Sequence, residues 1–246
     1  MPDYTVPALE KGLDVLELLA NTATPIGQSA IAAHLGRSTG ELFRVLQTLE
    51  NRAYISRDAD SGLYLLTTRL LDLAGRQPAL RGLILRAAGP MSELAASTEQ
   101  SCNLAVLDGA EVRVIAQQES PADFGFRVRV GAAFPLASTA TGAVLLAFCS
   151  ADQRDALRAE LAARGEKLQA LDDRIEHIRS RGYAREEDAR QAGILDLSYP
   201  VFGADGTAVA ALTVPYVATS YSAHDADAVA ARIESASASI SQPIAS

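Results

Sequence analysis

The sequence predicts an α+β fold in two domains, and three observations support that prediction. Residues 28–66 have the order helix, glycine turn, helix and β-hairpin, which is typical of a winged helix-turn-helix. Residues 101–119 and 197–217 each contain two apolar strand patterns joined by a turn, which predicts an antiparallel sheet. Helical segments grouped in blocks flank these strands. We expect domains at residues 1–78 and 79–246, because 246 residues suffice for two cores.

Residues 28–51 carry the pattern of two helices that pack through apolar faces. Ile31, Ala32 and Leu35 supply the inner face of the first helix, and Gly36 ends it. Ser38 and Glu41 have the spacing of a capping box, so the second helix begins at about Thr39. Its inner face is predicted from apolar residues at spacings of three and four, namely Leu42, Val45, Leu46 and Leu49.

The opposite face of this second helix is the candidate for DNA recognition. Residues 54–57 and 63–66 read as the strands of a wing, with a turn-rich tip at 58–62. We assign Arg44 to a guanine edge or a phosphate, Gln47 to an adenine edge and Phe43 to a thymine methyl group. The alternative is that these residues are ordinary solvated helix surface. The predicted DNA contacts are Ser38, Thr39, Gly40, Phe43, Arg44, Gln47 and Arg57, the last of them to a phosphate.

The charge balance restricts how this domain can bind DNA. Up to Pro78 the chain has seven basic and nine acidic residues, a net of −2, within a whole-chain net charge of −8. A protein that coats DNA without sequence preference would be strongly basic, which argues against a DNA-compacting protein. We expect a few well-placed arginines, doubled in a dimer, and weak, salt-sensitive binding by a monomer.

The rest of the chain is predicted element by element from residue 68 onward. A short helix covers 68–75, and a longer helical pattern over 80–98 is interrupted by Gly89 and Pro90. Strands follow at 101–108, 111–119 and 126–130, and Pro135 ends an extended segment. Ser138 or Thr139 caps a helix to about Cys149. The remaining predicted elements are helices at 151–164 and 171–182, strands at 197–202 and 208–217, and a helix at 223–241.

Several functional classes receive no support from the residues. His34, His177 and His224 are scattered without acidic or cysteine partners at ligand spacing, so an enzyme is the least favoured interpretation. Cys102 and Cys149 each stand alone in an apolar stretch. The sequence predicts no catalytic residue, no metal ligand and no cofactor. It also shows no signal peptide and no membrane-spanning run, which favours a cytoplasmic protein without a membrane partner.

The chain resembles the IclR family of transcriptional regulators over nearly its whole length. The matching segments are ALEKGLDVLELLA at 8–20, the helix-turn-helix and wing, GAAFPLASTATGAVLLAF at 131–148, and RGYAREEDARQAGILDLSYPVFGADGTAVAALTV at 181–214. The resemblance implies an N-terminal DNA-binding domain and a C-terminal effector-binding domain with a GAF-like sheet flanked by helices. It also implies dimers or tetramers on palindromic double-stranded operators.

The resemblance also implies where a small-molecule effector binds. Carried over by position, the effector residues are Ala140, Thr141, Glu186, Ile194, Asp196, Thr213 and Pro215. Ser138 and Thr139 join them, because free N–H groups at a helix start form an anion cradle suited to an organic acid. The alternative for Ser138 and Thr139 is that they only cap the helix.

Glu186 and Asp196 narrow the ligand class, because two carboxylates in one pocket disfavour a simple dicarboxylate. We expect an organic acid with hydroxyl groups, such as a sugar acid, whose hydroxyls bind Asp196. A metal-dependent site at Glu186 and Asp196, or a sensor of a non-acid ligand, is the alternative. Effector binding is expected to change operator affinity through the 69–90 connector. In the predicted recognition helix, Gly40 and Glu41 replace the Ser-Thr pair often found in the family, so the operator sequence cannot be inferred from relatives.

Overall fold

The structure is a computed structural model that describes residues 6–123, 125–188, 190–219 and 224–241. The chain divides into two compact units, one up to Pro78 and one from Ala79. Each unit has its own apolar core.

The first unit is a three-helix motif with a two-stranded wing and one more short helix. Its elements are α1 (Pro7–Ala20), α2 (Gln28–His34), α3 (Thr39–Asn51), β1 (Ile55–Arg57), β2 (Tyr64–Leu66) and α4 (Arg69–Gly75). The strands β1 and β2 are antiparallel, with Ile55 opposite Leu66 and Arg57 opposite Tyr64. The predicted winged helix-turn-helix is therefore confirmed, and α1 adds a helix whose Val15 and Leu19 enter its core.

The turn between α2 and α3 follows from local chemistry. Gly36 adopts φ +62°, a conformation that glycine reaches without a Cβ penalty, and this lets the chain reverse. The Ser38 hydroxyl accepts a hydrogen bond from the Glu41 N–H at 3.3 Å, while the Glu41 carboxylate accepts one from the Ser38 N–H at 3.0 Å. This reciprocal pair is the predicted capping box, and it starts α3 at Thr39.

The second unit is an antiparallel sheet with helices on both faces. Its strands are β3 (Cys102–Asp108), β4 (Glu111–Gln118), β5 (Ala133–Pro135), β6 (Ala184–Glu187), β7 (Ile194–Phe202) and β8 (Ala208–Val217). They lie in the order β5-β4-β3-β8-β7-β6. Its helices are α5 (Pro78–Thr98), α6 (Ala140–Phe148), α7 (Ala151–Ala163), α8 (Leu168–Arg181) and α9 (Ala226–Ile240), and a 3-10 turn at Leu136–Ser138 precedes α6.

Alternation along the strands sends side chains to two separate cores. Leu197 and Val201 of β7 lie with α5 and α9 in one apolar cluster, together with Leu212 of β8. Ala208 and Ala211 of β8 lie with α6, α7 and α8 in the other. The α+β class predicted from the sequence is confirmed by this arrangement.

Two predictions for the second unit are wrong. Residues 126–130 are not a strand, because the free edge of β4 pairs with residues 131–135 instead, through hydrogen bonds from Gly131 to Val114 and from Val114 to Ala132. The helix over 80–98 is not interrupted at Gly89 and Pro90, since α5 runs unbroken from Pro78 to Thr98. Burial of Leu83, Ala87, Met91 and Leu94 along one side of α5 offsets the hydrogen bond that Pro90 cannot donate.

Other boundaries differ by a few residues. The strand β6 was not expected, and α8 begins at Leu168 rather than Leu171. The expected helix start at Ala223 lies outside the described residues, and α9 is seen from Ala226. Within the described ranges, no helix combines the length and apolar character needed to cross a membrane.

Candidate functional site

The outer face of α3 is polar except for one aromatic side chain. Leu42 and Leu46 are buried against the rest of the first unit, while Arg44 and Gln47 face solvent on the other side. Phe43 is 54% exposed on this face. All seven predicted DNA contacts, at positions 38–40, 43, 44, 47 and 57, are exposed. Such a face has the donors, acceptor and apolar group that base edges in a major groove require.

Ion pairs within the first unit occupy most of its basic side chains and leave a few arginines for other contacts. Lys11 pairs with Glu41 at 3.1 Å, and Arg37 with Asp14 at 3.4 Å. Asp72 pairs with both Arg69 and Arg76 at 2.9 Å. Among the described residues up to Pro78, the basic side chains outside ion pairs are Arg44, Arg52 and Arg57. They lie on α3, at its end and in the wing, so the net-acidic unit still presents cations on its recognition side.

Arg57 and Arg52 contribute to this side in different ways. The Arg57 guanidinium lies 5.5 Å from the centre of the Tyr64 ring, and its Nε donates to the Gly62 carbonyl at 3.4 Å. Both contacts hold the side chain against the wing. Arg52, at the C-terminal end of α3, was not predicted as a DNA contact, although a basic residue after a helix pattern is a recognisable signal.

Glu41 serves the helix rather than the DNA. Its pKa is lowered to about 2, chiefly by the hydrogen bond from the Ser38 backbone N–H, and further by Lys11. The carboxylate is therefore ionised at any physiological pH and occupied by the cap.

The second unit contains a cavity of about 210 Å³ at the start of α6. Seven of the nine predicted effector residues line it, and Glu186 and Ile194 do not. The predicted residues that line it are Ser138, Thr139, Ala140, Thr141, Asp196, Thr213 and Pro215. Further lining residues include Asn103, Phe126, Val128, Phe134, Arg174, Glu187, Asp188 and Arg190. Ile194 is buried at the first position of β7, two residues before Asp196.

Thr139 is the N-cap of α6. Its hydroxyl accepts from the Gly142 N–H at 3.1 Å and donates to the Pro135 carbonyl at 3.3 Å. Thr139 therefore caps α6 and also lines the cavity, and the single proton of its hydroxyl is donated to the backbone. Ser138 is the last residue of the 3-10 turn, one position before the cap. As the first two residues of the helix, Ala140 and Thr141 have N–H groups with no carbonyl four residues back inside it.

A chain of three hydroxyls runs from the cavity into the sheet. The Thr141 and Thr213 hydroxyl oxygens are 2.9 Å apart, and Thr213 donates to the Ser198 hydroxyl at 2.8 Å. All three side chains are buried. Since the single proton of Thr213 points to Ser198, Thr141 donates to Thr213 and presents an acceptor oxygen to the cavity.

Asp196 is a half-buried carboxylate on the cavity wall. Desolvation raises its pKa to about 7, and the negative charges of Asp188 and Glu186 add to the increase, while Arg174 opposes it. Glu186 lies opposite Asp196 in the β6–β7 pairing, but its carboxylate is held by Arg174. The sequence interpretation with both carboxylates lining one pocket is thus wrong for Glu186, because an arginine twelve residues away in α8 takes it.

The remaining wall of the cavity is apolar. Phe126 and Val128 alternate along the chain without belonging to the sheet, and both point into the cavity together with Phe134. The Arg190 guanidinium lies 5.4 Å from the centre of the Phe134 ring. The cavity therefore has a polar side at α6 and β7 and an apolar side at residues 126–134.

Burial also governs the two thiols. It raises the pKa of Cys102 to about 12 and raises that of Cys149 as well, so both are buried, protonated thiols. Across the residues the structure covers, no group of three or more His, Cys, Asp or Glu side chains is placed to hold a metal ion.

Models of known protein families match both units of the chain. Residues 8–59 match the model of the IclR helix-turn-helix domain, and residues 80–242 match that of the bacterial transcriptional regulator IclR C-terminal domain. The chain belongs to the IclR family. It is a DNA-binding transcriptional regulator and not an enzyme, as the sequence predicted.

The similarity to individual relatives extends over most of the chain. The glycerol operon regulatory protein of Streptomyces coelicolor is 32% identical over 200 residues, which cover 80% of this chain and 79% of that protein. The crystal structure of Pseudomonas aeruginosa HmgR is 28% identical with a TM-score of 0.72, covering 96% of this chain and 98% of that one. An IclR homolog from Microbacterium hydrocarbonoxydans, crystallised with 4-hydroxybenzoate, has a TM-score of 0.77 at 20% identity and covers 95% and 97%.

Proposed function

We propose that this IclR-family regulator binds a small hydroxylated organic acid, such as a sugar acid, in the cavity of its second unit. Occupancy of that cavity sets the affinity of a dimer or tetramer for a palindromic operator. The observation that carries the proposal is that α6 begins at the cavity wall, with Asp196 also on that wall.

The start of α6 suits a carboxylate. The N–H groups of Ala140 and Thr141 begin the helix there, and the helix dipole adds partial positive charge. Because the Thr139 hydroxyl already donates its proton to the Pro135 carbonyl, this cradle relies on backbone N–H groups rather than on that hydroxyl.

The opposite polar groups suit hydroxyls on the ligand. Asp196, when ionised, and the Thr141 oxygen both accept hydrogen bonds, so a ligand that donates is recognised there. A bare second carboxylate would instead meet the charge of Asp196. These contacts support the hydroxylated acid over a simple dicarboxylate.

The size of the cavity agrees with a compact ligand. A cavity of about 150 Å³ accommodates benzene, so about 210 Å³ leaves room for a six-membered ring or a six-carbon chain with substituents. The Microbacterium homolog is described as a complex with 4-hydroxybenzoate. At 20% identity it shows the fold alone, which makes that acid a probe rather than an assignment.

The ligand class can be tested by calorimetry on the full chain. We expect sugar acids such as gluconate, or the hydroxy acid 4-hydroxybenzoate, to bind more tightly than pyruvate and glyoxylate. Tight binding of the small keto acids with no binding of hydroxylated acids would refute the proposal. The same ligands added to a gel shift on the protein's own promoter region test the coupling to DNA.

An exposed apolar row at the first helix supports the proposed dimer. Val6, which caps α1, and Leu9 and Leu13 of α1 are 59%, 60% and 50% exposed at spacings of three and four, so they form an apolar stripe. We propose that a second copy covers this stripe and places two α3 helices on two half-sites about 34 Å apart. This arrangement doubles the unpaired arginines, which a net-acidic monomer needs.

A further inference from the structure

We propose that Glu186 determines how many negative charges the cavity accepts, although its side chain does not line the cavity. By neutralising Arg174, it makes the site select ligands with one negative charge over ligands with two. This inference rests on the proposed function, since it concerns the same cavity and an acidic ligand.

The geometry places Arg174 between Glu186 and the cavity. Arg174 of α8 lines the cavity, and its Nε donates to the Glu186 carboxylate of β6 at 2.7 Å. A second N–H of the guanidinium reaches the other carboxylate oxygen, so the pair is bidentate. The side chains are 23% and 27% exposed, which limits screening by solvent.

A third hydrogen bond ties this ion pair to the ligand cradle. Arg174 Nη1 donates to the Ala137 carbonyl at 2.9 Å, in the 3-10 turn directly before α6. The guanidinium is thus fixed by partners on β6 and on the turn, and its charge is already balanced when a ligand arrives. Glu186 is a positioning residue, because it acts through Arg174.

The charges around the cavity show why this balance matters. The lining side chains include two arginines, Arg174 and Arg190, and three carboxylates, Glu187, Asp188 and Asp196. Arg190 is stacked on Phe134, and Arg174 is held by Glu186. The first carboxylate of a ligand binds the N–H groups at the start of α6. A second carboxylate would lie near the three lining carboxylates and near Arg174, whose charge Glu186 already neutralises.

The influence of Glu186 on the cavity is visible at Asp196. The charge of Glu186 is among the causes that raise the pKa of Asp196, and Arg174 acts in the opposite direction. Removing the Glu186 charge therefore makes the cavity more positive without altering any lining side chain. The affinity of a dianion should respond more than that of a monoanion.

The test uses two pairs of probes that differ by one carboxylate. Gluconate is compared with glucarate, and 4-hydroxybenzoate with terephthalate, by calorimetry on the full-length protein at pH 8 and low salt. Glu186→Gln removes the charge but keeps an oxygen that can accept from Arg174. We expect it to shift the dianion-to-monoanion affinity ratio by about tenfold or more towards the dianion. Glu186→Asp keeps the charge and should keep the wild-type ratio.

A matched control separates charge selection from a loss of folding. Glu160→Gln also removes the acidic partner of an arginine, Arg164, at 2.6 Å, but this pair is exposed on α7 and does not line the cavity. It should leave the ratio unchanged. A purely structural role for Glu186 would lower the affinities of both probes in a pair alike.

The possible results separate this inference from the proposed function. If the wild type binds probes and Glu186→Gln leaves the ratio unchanged, or Glu186→Asp shifts it equally, the inference is wrong and the proposed function stands. If the wild type binds no member of either pair, the proposed function fails and the inference fails with it.

Discussion

Gly142 packs against Leu136 so closely that a Cβ at position 142 would lie 2.0 Å from the Leu136 carbonyl oxygen. This contact presses the 3-10 turn onto the first turn of α6, where Thr139 caps the helix. The backbone of the proposed carboxylate cradle therefore has its shape because residue 142 carries no side chain.

Gly142→Ala should consequently be destabilising by about 2 kcal/mol, because the new methyl group must displace backbone. Urea denaturation measures the change, and calorimetry with the tightest-binding acid should show weaker binding. Gly89→Ala is the control, since Gly89 lies inside α5 with open space at its Cβ position. It should stabilise the protein by up to about 1 kcal/mol, because alanine favours a helix. Equal stability of wild type and Gly142→Ala would contradict the close packing.

The two proposed binding activities should separate by mutation. Arg44→Ala should weaken binding to promoter DNA by about 2 kcal/mol, because it removes an exposed cation from the recognition face, and leave acid binding intact. Asp196→Ala should do the reverse. Fluorescence anisotropy with promoter DNA and calorimetry with the acid measure the two. Loss of both activities in both variants would indicate misfolding instead.

Asp196 should make stability depend on pH. Burial raises its folded-state pKa to about 7 from the ordinary 3.8, so between about pH 4 and pH 7 the folded chain holds a proton that the unfolded chain has lost. The contribution of Asp196 to stability is therefore most favourable below pH 4 and declines as the pH rises to 7. Asp196→Asn removes this decline, so the Tm of the variant minus that of wild type should increase from pH 5 to pH 8.

Thermal melts at several pH values measure this difference. Asp173→Asn, which changes an exposed carboxylate on α8, serves as the control and should show a much smaller change. A constant difference between Asp196→Asn and wild type across the range would show that the carboxylate is not desolvated.

The α1 stripe should control self-association. Leu13→Glu places a charge in the exposed apolar row, so it should weaken the dimer without affecting the monomer fold. Sedimentation velocity over a range of concentrations measures the association. Val209→Glu, which changes a 41% exposed residue of β8, is the control for added charge. A dimer that tolerates Leu13→Glu unchanged would exclude α1 as its interface.

Local chemistry explains what the sequence could predict. The reciprocal Ser38–Glu41 cap and the glycine turn at Gly36 depend on neighbours within three residues, so their pattern is visible in the chain. The same holds for the β3–β4 hairpin, whose apolar alternation and turn are contiguous. The position of the α6 start could be carried over from the family for the same reason.

Contacts between distant segments explain what the sequence could not predict. Glu186 was expected to bind the effector, but its partner is Arg174, and only a fold in which α8 and β6 both pack against α6 brings the two together. The alternation of Phe126 and Val128 is typical of a strand, yet it arises because one side of an irregular segment covers a cavity. A period of two reports which side is buried, and it does not report hydrogen bonding.

The irregular segment at residues 126–130 lines the cavity but contributes no strand to the sheet. Phe126 and Val128 supply part of the apolar wall while taking no part in the ladder of the sheet, so their side chains can be exchanged without breaking strand pairing. A biosensor engineer could randomise these two positions to move the response towards larger or smaller acids. Gly142, Thr139 and Arg174 would be kept fixed in such a library, since they hold the backbone of the proposed carboxylate cradle in place.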